Sequence, residues 1–66
     1  MELIVNGAGR ELPGGSTVAD VVREVTDQRR GLAVAVNGEV VPRGGWPATV
    51  LRDGDRVEVL SAAQGG

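Results

Sequence analysis

The sequence predicts an α+β domain in which a single helix packs on one face of a mixed β-sheet. Three observations carry that prediction. Apolar and polar residues alternate with period two at both ends of the chain and in its middle. The helical spacing i, i+3, i+4, i+7 occurs once, and glycine-bearing turn signals separate the alternating stretches. One helix with one apolar stripe has to bury that stripe, and a sheet face is the only large partner these segments can build.

Residues 1–6 read as the first strand, with Leu3 and Val5 on one side and Glu2, Ile4 and Asn6 on the other. Gly7-Ala8-Gly9 reads as a turn, and Arg10-Glu11-Leu12 as a short second strand stopped by Pro13, which has no N–H to donate to a ladder. Gly14-Gly15 leads to Ser16-Thr17, where Thr17 is the expected helix N-cap and Asp20 places an acid among the unpaired N–H groups of the first turn. Val18, Val21, Val22 and Val25 form the apolar stripe. Valine is a mediocre helix former, so this helix depends on packing rather than on propensity. Arg29-Arg30-Gly31 is its expected exit.

Leu32, Val34 and Val36 alternate with Ala33 and Ala35 as a third strand. Asn37-Gly38 then signals a two-residue hairpin, because both turn positions must accept φ > 0. Glu39-Val40-Val41 returns as the fourth strand and stops at Pro42. Residues 43–51 read as irregular, with Trp46 expected to plug a sparse aliphatic core. Asp53-Gly54-Asp55 reads as a tight turn rather than as a pair of metal ligands. Residues 56–60 form the last strand, with Val57 and Val59 on one face. The resulting order, β-β-α-β-β-β, is the β-grasp arrangement of ubiquitin-like proteins. It places a folded domain over residues 1–60 and a flexible tail over 61–66, ending in Gly-Gly.

Composition removes many functions. At 66 residues the chain is one domain near the lower size limit for folding alone. It has no Cys and no His, so thiol nucleophiles, disulfides and the usual zinc and neutral-pH acid–base residues are missing. Nine acids against seven arginines leave a net charge of −2, the wrong balance for a nucleic-acid binder. No apolar run approaches the roughly 18 residues of a membrane span, and the opening residues read as a strand rather than a signal peptide. A cytoplasmic location without membrane contact is the expectation. Every basic residue is arginine, so the chain offers no lysine for an isopeptide or a Schiff base.

What remains as a reactive handle is the terminal carboxylate of Gly66. An α-carboxylate is ionised at neutral pH and can attack the α-phosphorus of a nucleotide. The acyl-adenylate so formed needs a site closed to water, which favours a thin polypeptide threaded into a channel. Gly65 and Gly66 have no Cβ to clash there, and Gln64 with Ser61-Ala62-Ala63 leads into them through small or uncharged side chains. On these residues alone, a carrier that loads a group onto its terminal carboxylate, a ubiquitin-like protein modifier and a plain interaction module with an inert tail all stay open.

The run Val36-Asn37-Gly38-Glu39-Val40-Val41-Pro42-Arg43-Gly44-Gly45-Trp46, the stretch Leu51-Arg52-Asp53-Gly54-Asp55-Arg56-Val57-Glu58 and the final Gly65-Gly66 together resemble the ThiS family of thiamine-biosynthesis sulfur carriers. The resemblance spans essentially the full length, and Val41-Pro42-Arg43-x-x-Trp46 is its most specific part. The Asp-Gly-Asp turn and diglycine alone would also fit a molybdopterin-type carrier. The resemblance implies a protein co-substrate rather than an enzyme, with no bound cofactor. A ThiF-type adenylyltransferase would activate the Gly66 carboxylate with ATP, and sulfur drawn from cysteine through a desulfurase would displace AMP. The Gly66 thiocarboxylate would then supply thiazole synthase (ThiG).

One docking expectation comes from the strand pattern. With Leu3, Val5, Val57 and Val59 facing the helix, Ile4 and Leu60 emerge on the opposite face. First and last strands neighbour each other in this fold, so the two residues are expected to form an exposed apolar patch near the tail.

Overall fold

Two Asn-Gly pairs make both hairpins of the sheet. In the computed structural model, which describes residues 1–28 and 30–61, Asn6 and Asn37 each adopt φ 51, and Gly7 and Gly38 adopt φ 83 and 85. Positive φ at both loop positions matches the right-handed twist of the flanking strands. The first turn is therefore Asn6-Gly7 and not the expected Gly7-Ala8-Gly9; Ala8 and Gly9 enter the second strand, opposite Val5 and Ile4.

The elements are β1 (Glu2–Val5), β2 (Ala8–Glu11), α1 (Val18–Val25), β3 (Leu32–Val36), β4 (Glu39–Val41), a 3-10 helix (Arg43–Ala48) and β5 (Arg56–Ser61). They form one five-stranded sheet in the order β2-β1-β5-β3-β4. The central β1–β5 pair is parallel, and the other pairs are antiparallel. The last strand in sequence thus lies at the centre of the sheet, with its final residue, Ser61, one position past the domain boundary expected at 60.

Helix α1 covers one face. Thr17 caps it through a reciprocal pair: the Asp20 N–H donates to Thr17 Oγ1 and the Thr17 N–H donates to Asp20 Oδ2 (3.3 and 2.9 Å). The bond from the Thr17 N–H holds the Asp20 carboxyl below its ordinary value. Partial desolvation opposes that effect, and the Thr17 hydroxyl and the nearby Arg23 guanidinium add to it, so the net shift is downward. The helix stops at Val25, short of the expected Arg29-Arg30-Gly31 exit, because Thr26 turns to an extended conformation (φ −158, ψ 151). Its hydroxyl then accepts from the Gln28 N–H, a local bond that competes with another helical turn. Arg29 lies outside the described residues.

Val18, Val21, Leu3, Val34 and Val57 are fully buried between helix and sheet, so the valine stripe is paired with the inward faces of three strands. Trp46 closes one end of this core at 7 % exposure, its indole N–H donating to the Val41 carbonyl at 2.8 Å. Residues 43–48, expected to be irregular, form a 3-10 helix in spite of Gly44, Gly45 and Pro47; the Gly45 N–H donates to the Pro42 carbonyl at 2.8 Å, and the Trp46 bond ties the segment to β4. Among the described residues no helix is long and apolar enough to cross a membrane.

Candidate functional site

The site begins at the carboxyl end of β5. Gln64, Gly65 and Gly66 lie outside the described residues; Gly66 is five positions beyond Ser61, a contour of at most about 17 Å. What the structure defines is the platform from which the chain leaves the sheet.

Two side chains grip that platform. The Asn6 carboxamide bonds both backbone groups of Val59: the Val59 N–H donates to Oδ1 at 2.8 Å and Nδ2 donates to the Val59 carbonyl at 3.2 Å. Gln28, in the loop after α1, donates from Nε2 to the Arg30 carbonyl at 2.7 Å and to Ser61 Oγ at 3.0 Å. At the opposite end of β5 the second hairpin does similar work. The Arg56 N–H donates to Asn37 Oδ1 and Asn37 Nδ2 donates to Asp55 Oδ1, both at 3.0 Å. The periodicity of the sequence does not show these grips. The signal that could have found the first is the Asn-Gly pair at 6–7, identical to the one at 37–38.

Asp53 and Asp55 are occupied as turn builders. Asp53 Oδ1 accepts from the Glu2 N–H at 2.7 Å and Asp55 Oδ2 from the Arg52 N–H at 2.8 Å, while Gly54 takes φ 86. Arg43 lies 5.6 Å from the centre of the Trp46 ring, in the range of a cation–π contact.

The face of the sheet away from α1 is open. Ile4 and Leu60 both lie on it, 37 % and 64 % exposed, but they do not form the expected patch. The parallel register sets Ile4 opposite Arg56, four residues before Leu60, which is about 13 Å of strand. Arg56 and Glu58 occupy the intervening positions on the same face. Leu60 is instead opposite Ala33, and Ala35 lies between Glu58 and Val40, which is 74 % exposed. The apolar surface nearest the tail is therefore Leu60, Ala33, Ala35 and Val40. Its Val40 part was legible: a two-residue loop that pairs Val36 with Glu39 must pair Ala35 with Val40.

A mixed sheet gripping one helix, with its central strand running out toward the last residues, defines a β-grasp protein of the ubiquitin-like kind. The model of the ThiS family matches residues 3–66. The sulfur carrier protein ThiS of Thermus thermophilus is 40% identical over 62 residues, 94% of this chain and 95% of that one. The crystal structure of the thiamine biosynthesis protein (ThiS) from Geobacter metallireducens superposes with a TM-score of 0.82 at 33% identity, over 92% of this chain and 93% of that one. A thiazole synthase of Paramagnetospirillum magneticum is 32% identical across all of this chain, which spans only 20% of that protein. The chain belongs to the ThiS family: it is a small sulfur carrier of thiamine biosynthesis and not a catalyst.

Proposed function

We propose that the carrier works through the carboxylate of Gly66. A carboxylate oxygen attacks the α-phosphorus of ATP in an activating enzyme of the ThiF type, and pyrophosphate leaves. The terminal sulfur of a persulfide, drawn from cysteine by a desulfurase, then attacks the acyl carbon and AMP leaves; a thiol reductant cleaves the acyl disulfide so formed, is itself oxidised to a disulfide, and leaves a thiocarboxylate on Gly66. Thiazole synthase takes that sulfur. ATP is consumed by the activating enzyme and not held by the carrier, and all of these partners fit a cytoplasmic setting.

The observation that carries this reading is that the family match runs to Gly66 itself, through Gln64 and Gly65. For the client, the thiazole synthase with a carrier-like segment supports direct partnership, since joining two proteins in one chain raises the effective concentration of each for the other. Docking falls to the open sheet face, through Leu60 with Ala33, Ala35 and Val40, and with Ile4 as an outlying contact.

Intact-mass measurement after incubation with ATP, an activating enzyme and a sulfur donor tests the proposal. The expected product carries one oxygen replaced by sulfur, and fragmentation locates it at Gly66. A bare carboxylate under these conditions, with no pyrophosphate exchange, overturns it.

A further inference from the structure

The β1 side of β5 shows an unusual piece of backbone accounting. Residues of β5 and its lead-in that face β1 are alternate ones. The Asp55 carbonyl accepts from the Ile4 N–H at 3.0 Å, and the Val57 carbonyl accepts from the Asn6 N–H at 2.9 Å. The next residue on that side is Val59, but the backbone of β1 has already left at Asn6, where φ is 51. Strand β5 nevertheless continues to Ser61. The Asn6 carboxamide fills the missing rung: its oxygen accepts from the Val59 N–H and its nitrogen donates to the Val59 carbonyl. A carboxamide has the same acceptor and donor as a peptide group, so the side chain stands in for one more residue of β1.

We propose that Asn6 is a positioning residue for loading of the carrier: by prolonging the parallel ladder to Val59 it sets the direction in which the chain leaves the sheet toward Gly66. This rests on the reading that Gly66 must be threaded into an activating enzyme. The chemistry selects asparagine on two counts. Asparagine tolerates the left-handed backbone of the hairpin, and it alone among the residues that do so readily offers both a donor and an acceptor at this reach. Aspartate keeps the acceptor but turns a second oxygen toward the Val59 carbonyl, and glycine keeps the turn but removes the grip.

Asn37 supplies an internal control. It occupies the same position in the other Asn-Gly hairpin, with the same φ, and also makes two bonds, but at the start of β5, far from the exit. Asn6→Gly and Asn37→Gly each preserve the turn and each delete two hydrogen bonds, so a merely structural role lowers Tm similarly in both. The test compares amide exchange at Val59 with ATP–pyrophosphate exchange at varied carrier concentration. Asn6→Gly is expected to speed exchange at Val59 and to raise the carrier KM about tenfold, the fold-change that matches the ordering cost of about one backbone residue, with kcat little changed. Asn37→Gly is expected to keep both near wild type. Asn6→Asp, which keeps side-chain size and turn preference, is expected to fall between. Equal KM changes in the two glycine variants, or unaltered Val59 exchange in Asn6→Gly, overturn the proposal. If the wild-type carrier supports no pyrophosphate exchange at all, it is the Gly66 reading that fails, and exchange at Val59 still reports on the grip.

Discussion

The two faces of the sheet are made by the same strands, and alternate residues send them to opposite tasks. On the helix side Leu3, Val34 and Val57 are fully buried under the valine stripe of α1. On the other side the alternating neighbours Ile4, Ala33, Ala35 and Leu60 share their face with Glu2, Arg56 and Glu58. The centre of the covered face is aliphatic, and its charged residues, Arg10 opposite Leu3 and Glu39 opposite Val36, stand on the edge strands β2 and β4, so this face contributes stability. The open face mixes charge with a small apolar field beside the strand end, so removing residues from it costs little folding energy and leaves them free for recognition. In a chain this short the division matters, because one side of one sheet supplies nearly all of the core.

The largest break of this comparison comes from the covered face. Leu3→Ala should cost about 3 kcal/mol through lost burial and the cavity left behind, a large share of the total stability of so small a domain. Urea unfolding should show most of the transition lost; a shift below about 1 kcal/mol would mean that the helix–sheet layer is not the core.

The cap that holds α1 over that face should give an intermediate effect, with Thr17→Ala costing about 1 kcal/mol. It also carries a pH signature. The lowered Asp20 pKa means that the folded state favours the carboxylate, so the contribution is present above the ordinary carboxylate range. It is lost as pH falls from there through the lowered folded value, where the unfolded chain binds the proton first. Stability measured against pH should fall less steeply in that acid window in Asp20→Asn; superposable slopes would remove the linkage.

The smallest stability change belongs to the open face. Leu60→Glu should stay within about 0.5 kcal/mol of wild type, yet raise the carrier KM with the activating enzyme. Ile4→Glu, which sets an acid beside Arg56 and away from the Leu60 field, should change KM less. Equal effects of the two would restore a single patch spanning both residues, and no effect of either would leave docking to another surface.

The structure also shows where local rules stop. Asn37-Gly38 specified its hairpin, and through it the pairing of Ala35 with Val40, because a two-residue loop leaves no freedom of register. Asn6-Gly7 carried the same chemistry, but Gly9 two residues on spread the turn signal over three candidate positions. Glycine and proline in the tryptophan segment argue against helix, so local propensity predicts an irregular stretch there. Its 3-10 turn is closed by the Gly45 N–H on the Pro42 carbonyl and is tied to β4 by a bond from Trp46 to Val41 that no propensity describes.

By itself the sequence determined the element order, the inward set Leu3, Val5, Val21, Val34 and Val57, the Thr17 cap and the diglycine end. Each of these follows from a short-range rule: period two, period 3.6, an N-cap, or φ > 0 at a turn. Only the tertiary structure decided the offset of β5 against β1, and with it the separation of Ile4 from Leu60 and the grip of Asn6 on Val59. Parallel neighbours are joined by no turn, so their register is set by how the whole core packs, and that information is spread across residues far apart in the chain.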